Sequence, residues 1–129
     1  MSNSDVITAF CEAWAERDLD KIMDFFTDDA VYHNIPVDPA SVGKEEIRAV
    51  IESFTAAPQS IEFKVHHQAE SSDGVVMNER TDVFRIGDGA IQLRVMGTFE
   101  LTDGKISAWR DYFDMQQYMN QLPQQGQSS

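Results

Sequence analysis

After Pro58 the side chains alternate in character with a period of two residues, which is the spacing of a β-strand. From Ile61 to Gln68 the odd-numbered residues are predicted to face one side of a sheet and the even-numbered residues the other. Turn signals then recur at three places, Asp73-Gly74, Gly87-Asp88-Gly89 and Asp103-Gly104. The pattern therefore predicts an antiparallel meander of four strands, over about residues 61–70, 75–86, 90–101 and 105–113.

The first part of the chain shows the three-to-four-residue spacing of amphipathic helices. A first helix is predicted to begin at Ser4 or Asp5, and a second at Asp18 with an apolar stripe that extends to Phe26. The remaining elements are a strand over 30–35, a third helix around 47–54, and a short last helix after Asp114. Helices followed by a meander are typical of an α+β fold, with three helices packed on a curved sheet around a pocket. We expect one domain over residues 1–122 and a disordered polar tail over 123–129.

Composition excludes several classes of partner. The 129 residues carry a formal net charge of −12, which repels nucleic acid and anionic membranes. No apolar run approaches the length of a membrane span, and the first residues lack the features of a signal peptide, so we expect a cytoplasmic protein. Cys11 is the single cysteine, and we expect it to be a packed core thiol. No metal-ligand motif is present, and we predict no metal and no cofactor.

The candidate chemistry begins with Asp111, which shares a strand face with Trp109 and Phe113. A carboxylate between two aromatic residues is costly unless another group pairs with it. Arg80 and Asp82 share a face of the second meander strand and offer such a partner. Two carboxylates beside one guanidinium tend to titrate as a coupled unit, so that one keeps a proton while the other is ionised. This set predicts a general acid and a general base in one buried site.

Simpler interpretations remain open for each of these residues. Arg80 and Asp82 are also compatible with an exposed ion pair, which would contribute little to stability. Asp111 would have a purely structural role if it bonded only a backbone amide. Tyr32 and Asn34 share one face of the first strand and suit a small polar molecule, but the same residues fit a core aromatic and a turn before a proline.

At these residues the sequence resembles the limonene-1,2-epoxide hydrolase family. The matching stretches are residues 32–36, 79–84, 95–97 and 109–114, and the similarity runs from the first helix to about Leu122. The wider superfamily is similar to nuclear transport factor 2, ketosteroid isomerase and polyketide cyclases. The resemblance implies a cone-shaped sheet closed by helices around a deep apolar pocket, and a homodimer.

The resemblance also implies a role for each matching residue. Asp111 would take a proton from water, and Tyr32 and Asn34 would hold that water. Asp82 would protonate the epoxide oxygen, and Arg80 would bridge both carboxylates. The residues expected to line the pocket and bind substrate are Phe54, Phe84, Leu93, Val95 and Phe113.

Three functions follow from this interpretation. The favoured one is a cofactor-independent epoxide hydrolase that adds water directly to a small hydrophobic epoxide and releases a vicinal diol. The second is an isomerase or polyketide-cyclase-like enzyme of the same fold, which needs one base and an oxyanion donor. The third is a non-catalytic ligand-binding module, in which Arg80 or Asp111 would face solvent or a subunit contact.

Overall fold

The computed structural model describes residues 1–122, so the predicted disorder of 123–129 falls outside the described residues. The elements, in chain order, are α1 (Asn3–Ala13), a 3-10 turn (Trp14–Glu16), α2 (Leu19–Met23), β1 (Phe26–Asn34), β2 (Ser41–Val42), α3 (Lys44–Thr55), β3 (Ser60–Glu70), β4 (Val76–Ile86), β5 (Gly89–Thr102), β6 (Lys105–Tyr112) and α4 (Met115–Gln121). The predicted four-strand meander is confirmed as β3 to β6.

The six strands form one curled sheet in the order β2-β1-β6-β5-β4-β3. Every neighbouring pair is antiparallel except β1 and β6, which run parallel. Helix α1 packs against β3, α3 against β1, and α4 against β5. We call the face that carries the core and faces the helices the inner face, and the opposite one the outer face. The α+β class and the curved sheet are confirmed, and the parallel pair makes the sheet mixed.

Helix α1 begins earlier than predicted. Its N-cap is Ser2, whose hydroxyl accepts a hydrogen bond from the Asp5 amide at 3.0 Å, while the Asp5 carboxylate accepts one from the Ser2 amide at 3.2 Å. Asp5 is therefore the third residue of a capping box and not the cap itself. Asp18 and Asp114 cap α2 and α4, as predicted.

Strand β1 is longer than the predicted strand over 30–35. It begins at Phe26, a residue predicted to belong to the stripe of α2, and it pairs with the unpredicted strand β2. Residues 31–34 lie beside 108–111 of β6, with Tyr32 next to Trp109 and Asn34 next to Asp111. The pairing joins segments more than seventy residues apart, and a local pattern carries no signal for it.

A register shift between Val65 and His67 corrects the predicted alternation of β3. Beyond this bulge Gln68 turns to the inner face, where it bonds Asn78, although the period-two pattern assigned it to the opposite face from Ile61. The extra residue of a bulge reverses the alternation for the rest of the strand. His67, which the pattern assigned to the face of Ile61, is exposed as a result and pairs with the exposed Glu79.

Aromatic side chains dominate the core on the inner face. The Phe10 ring meets the rings of Trp14, Phe26, Phe99 and Trp109 at steep angles, with centroids 5.1–6.2 Å apart. Such edge-to-face pairs add stability beyond the apolar area that they bury. Cys11 lies in this core as predicted, and burial raises the pKa of its thiol to about 12.

Candidate active site

A fully buried guanidinium, that of Arg80, forms the centre of the site. Its Nε donates to Asp82 Oδ1 at 2.8 Å and its Nη2 donates to Asp82 Oδ2 at 3.2 Å, which makes a bidentate pair. The same Nη2 donates to Asp111 Oδ2 at 2.5 Å. The two carboxylates come from β4 and β6, on either side of β5, and the guanidinium spans the distance between them.

Asp111 is held from two sides. Besides the guanidinium, the indole Nε1 of Trp109 donates to its Oδ1 at 2.6 Å. Trp109 and Asp111 are two residues apart in β6, so their side chains leave the strand on the same face. The flanking tryptophan thus both encloses the carboxylate and hydrogen-bonds it.

Tyr32 and Asn34 complete the polar cluster. The Tyr32 hydroxyl donates to Asn34 Oδ1 at 3.1 Å, and its ring stacks on Trp109 with centroids 4.1 Å apart. Because Asn34 is the register partner of Asp111 in the parallel pairing, the amide lies beside the carboxylate. The structure therefore brings all five predicted catalytic residues to one place.

Sequence reasoning assigned no role to Asn78, Gln68 and Gly97, which complete the site. Asn78 Oδ1 accepts a hydrogen bond from Arg80 Nη1 at 3.1 Å, and Asn78 Nδ2 donates to Gln68 Oε1 at 3.1 Å. Gly97 lies opposite both Asn78 and Asp111, and a Cβ there would be 2.5 Å from Arg80 Nη1. The two-residue spacing from Arg80 could have identified Asn78 as a site residue. Gln68 could not be identified, because the bulge changes the face on which it lies. The position of Gly97 follows from the strand register.

The electrostatics follow from burial. Asp82 and Asp111 are 4% exposed, and burial raises the pKa of both carboxyls, while the Arg80 charge lowers it. With the further repulsion of Asp111, the pKa of Asp82 reaches about 7. Burial lowers the pKa of Arg80, but the two aspartates outweigh this effect and hold it well above its ordinary value. One proton on the two carboxyls makes the cluster electrically neutral, which is the least costly charge state for a buried site.

An apolar cavity of about 270 Å³ opens onto this cluster. Tyr32, Asn34, Asp82 and Asp111 form its polar end. All five residues predicted to bind substrate line it, namely Phe54, Phe84, Leu93, Val95 and Phe113. Helix α4 adds Met115 and Tyr118, and the 3-10 turn adds Trp14.

Two further findings bear on the site. Within residues 1–122, no three His, Cys, Asp or Glu side chains come together in an arrangement that would bind a metal. In the same part of the chain, no helix has both the length and the apolar character that a membrane span requires.

The chain is similar to known proteins of one enzyme family. The family described as limonene-1,2-epoxide hydrolase catalytic domain matches residues 1–124. Epoxide hydrolase EphG of Mycobacterium tuberculosis is 33% identical over 109 residues, which is 84% of this chain and 71% of that protein. The chain belongs to the limonene-1,2-epoxide hydrolase family.

Solved structures of the family and its neighbours share the fold. A limonene-1,2-epoxide hydrolase-like epoxide hydrolase from Mycobacterium tuberculosis superimposes with a TM-score of 0.79 at 30% identity, covering 92% of this chain and 86% of that one. SalBIII, an epoxide hydrolase/cyclase-like enzyme of pyran ring formation in salinomycin, superimposes with a TM-score of 0.79 at 21% identity, covering 89% and 92% of the two chains. The similarity to SalBIII shows only a shared fold, because one fold supports several chemistries.

Proposed function

We propose that the protein hydrolyses a hydrophobic epoxide to a vicinal diol by direct attack of water, without a cofactor. The observation that carries this proposal is the bridge from Arg80 to both Asp82 and Asp111 at the polar end of an apolar cavity. Water attack on an epoxide requires a base for the nucleophile and an acid for the leaving oxygen in the same step. A buried pair of carboxyls that holds one proton supplies both.

Asp111 is the base in this mechanism. Its bonds from Arg80 and Trp109 stabilise the ionised form. A water molecule at the polar end donates a hydrogen bond to Asp111 and accepts one from the side-chain amide nitrogen of Asn34. The Tyr32 hydroxyl fixes the orientation of that amide. As the oxygen of this water bonds to an epoxide carbon, its proton passes to Asp111.

Asp82 is the acid. With a pKa of about 7 it holds a proton near neutral pH, at a position that lines the cavity. The proton moves to the epoxide oxygen as the C–O bond breaks, so no free alkoxide forms. The products are one diol, a protonated Asp111 and an ionised Asp82, and the resting state returns when Asp111 releases a proton and Asp82 gains one. Each proton transfer contributes on the order of 10²–10⁴-fold to the rate.

The other functions suggested by the sequence have less support. A non-catalytic module requires Arg80 or Asp111 to face solvent or a subunit contact, and both are buried within the single chain. An isomerase needs one base and an oxyanion donor, and a guanidinium shared between two carboxyls adds nothing to that reaction. Turnover of a steroid enone in preference to cyclic epoxides would favour the isomerase.

Labelled water provides the decisive test. We expect enzyme in excess over a cyclic epoxide in H₂¹⁸O to give a diol with one labelled oxygen, while tryptic peptides that contain Asp82 or Asp111 stay unlabelled by mass spectrometry. Label that appears first in either carboxyl would indicate an ester intermediate and refute direct attack. No diol from a panel of terpene, fatty-acid and aromatic epoxides would refute epoxide hydrolysis itself.

We further propose that the protein is a homodimer that buries the outer face of the sheet. Three large apolar side chains are exposed on neighbouring strands there, those of Met77, Met96 and Tyr112, at 42–48% of their full area. Met96 and Tyr112 are register partners, so they form a continuous patch. Sedimentation equilibrium should give twice the chain mass for the wild type and a smaller mass for Met96→Lys; a monomeric wild type would refute the proposal.

A further inference from the structure

All three guanidinium nitrogens of Arg80 donate hydrogen bonds, and one of their acceptors is a neutral amide. Nε and Nη2 donate to Asp82 and Asp111, whereas Nη1 donates to Asn78 Oδ1 at 3.1 Å. In the proposed mechanism Asp82 loses a proton and Asp111 gains one, so both carboxyls change charge in every turnover. A hydrogen bond to an ionised group is about twice as strong as one between neutral groups, so the attraction on Arg80 shifts from one aspartate to the other. Of the three acceptors, Asn78 is the one whose charge stays constant.

Asn78 can hold Arg80 only when its amide oxygen faces the guanidinium. A guanidinium has donors and no acceptor, so the reversed amide would place its NH₂ group against another donor. The observed orientation is favoured on the nitrogen side of the amide. Asn78 is 1% exposed, and its Nδ2 donates to Gln68 Oε1 at 3.1 Å and contacts Cys11 Sγ at 3.7 Å.

Helix α1 fixes the orientation of Gln68 in turn. The Gln68 Nε2 atom donates to the Ser4 carbonyl oxygen at 2.9 Å and to the hydroxyl oxygens of Ser4 and Thr8 at 2.9 and 3.0 Å. A hydroxyl can accept or donate, but a carbonyl oxygen only accepts. Nε2 must therefore face α1, which leaves Oε1 facing Asn78. One backbone carbonyl of α1 thus sets the orientation of first the Gln68 amide and then the Asn78 amide.

We propose that Asn78 and Gln68 are positioning residues for the reaction. Gln68 orients the Asn78 amide, and Asn78 anchors Arg80 while the two aspartates exchange their charges. This inference rests on the proposed epoxide hydrolysis and adds two residues to it. The residues that line the cavity do not include Asn78 or Gln68, so both act through Arg80. Their removal should slow the chemical step and leave substrate binding unchanged.

Gln68→Met tests the orienting role. Methionine keeps the length of the side chain but has no amide to hold Asn78. With cyclohexene oxide as substrate, we expect kcat to fall by about 3- to 10-fold at unchanged KM, since the change affects the reaction and not binding. An unchanged kcat, with diol still formed, overturns the role of Gln68 and leaves the proposed function standing. A wild-type protein that hydrolyses no epoxide overturns both proposals.

Asn3→Leu is the matched control. Asn3 Nδ2 donates to the Gly74 carbonyl oxygen at 2.9 Å, so this bond also attaches α1 to the meander, but it does not lead to Arg80. Leucine keeps the size of the side chain and removes the amide. The kcat of Asn3→Leu should equal that of the wild type when urea denaturation shows both proteins to be folded. A fall as large as in Gln68→Met would assign the effect to the general attachment of α1 and overturn the proposal.

Asn78→Leu tests the anchoring role at a second position. It keeps the volume of the side chain and removes the acceptor for Nη1, so kcat should fall by about 10- to 100-fold at unchanged KM, the effect of one hydrogen bond to a charged group. An unchanged kcat overturns the anchoring role even if Gln68→Met does not fold.

The double variant connects the two roles. When position 78 is leucine, Gln68 has no amide to orient, so adding Gln68→Met should lower kcat no further. Two residues that act as one unit show such non-additive effects, whereas independent residues do not. If the two reductions in kcat multiplied in the double variant, Gln68 would act independently of Asn78 and the proposal would be overturned.

Discussion

Arg110 and Asp111 are neighbours in β6, yet their ion pairs lie in opposite environments. Arg110 Nη1 is 2.7 Å from Glu100 Oε2 on the outer face, with side chains 33% and 49% exposed. Asp111 pairs with Arg80 on the inner face, with side chains 5% and 0% exposed. An exposed pair contributes about 0–1 kcal/mol, whereas removing one partner of a buried pair costs about 3–5 kcal/mol. Which face a residue occupies therefore decides whether the same kind of ion pair is a surface feature or a reactive site.

The largest expected effect tests the inner face. Asp82→Asn and Asp111→Asn each keep the size of the side chain and remove one proton-transfer group. We expect kcat on a cyclic epoxide to fall by about 10²–10⁴-fold in each variant. Near-normal turnover in either one would remove the role assigned to that residue, provided that circular dichroism shows a native fold.

The second prediction concerns the space around Arg80. Gly97→Ala would place a Cβ 2.5 Å from Arg80 Nη1 and 2.9 Å from Asp111 Oδ1, and the guanidinium, held by its hydrogen bonds, has little freedom to move. We expect the free energy of unfolding to decrease by about 1–3 kcal/mol and kcat to fall about tenfold or more.

Gly89→Ala is the control for this prediction, since it makes the same change in β5 where the nearest atom is 3.9 Å away. Urea denaturation of both variants separates crowding at Arg80 from the general effect of alanine in place of glycine in a strand. Equal stability and equal kcat in the two variants would show that Gly97 gives no essential clearance.

The third prediction concerns pH. Asp82 must keep its proton to act as the acid, so kcat/KM should fall about tenfold per pH unit above the pKa of about 7. It should also fall at low pH, as Asp111 becomes protonated. A flat profile from pH 6 to 9 would contradict a titrating acid.

The stability of the protein should also depend on the protonation of Asp82. Burial raises the pKa of Asp82 above its ordinary value of 3.8, so the folded state binds more protons than the unfolded state between these two values. The free energy of unfolding attributable to this group is therefore full below about pH 4 and decreases as pH rises toward 7. In Asp82→Asn this part of the pH dependence should be absent. If the free energy of unfolding, measured by urea denaturation at several pH values from 4 to 7, changed with pH in the variant as much as in the wild type, the assignment of this proton to Asp82 would be wrong.

The smallest expected effect tests the outer face. Glu100→Gln removes the carboxylate that pairs with Arg110 and should change the free energy of unfolding by less than about 1 kcal/mol, with kcat unchanged. A loss of stability as large as that of Gly97→Ala would mean that the two faces do not differ as described.

Much of this fold can be predicted from the local sequence pattern. The alternation after Pro58 and the turn signals predict all four meander strands, because strand period and turn conformation depend on near neighbours. The Asp103-Gly104 turn is an example, since both residues have positive φ, at 51° and 79°. The two-residue spacing within a strand likewise places Arg80 and Asp82 on one face of β4, and Trp109 and Asp111 on one face of β6.

Four features could not be predicted in this way. The parallel pairing of β1 with β6 joins distant segments, the bulge in β3 reverses its alternation, and β2 is too short to leave a pattern. The clearance at Gly97 depends on side chains from two other strands. The parallel pairing and the clearance at Gly97 depend on contacts between residues in strands that are separate in the chain.

By itself, the sequence determined which side chains share a strand face, because that depends only on the two-residue period of the backbone. It also supplied the two aspartates and the arginine to which the proposed mechanism assigns the proton transfers. The tertiary structure alone decided which face is buried and where the two aspartates meet, because β5 separates their strands and both faces carry polar residues. Burial then raises the pKa of Asp82 to about 7, a shift that no single strand could produce.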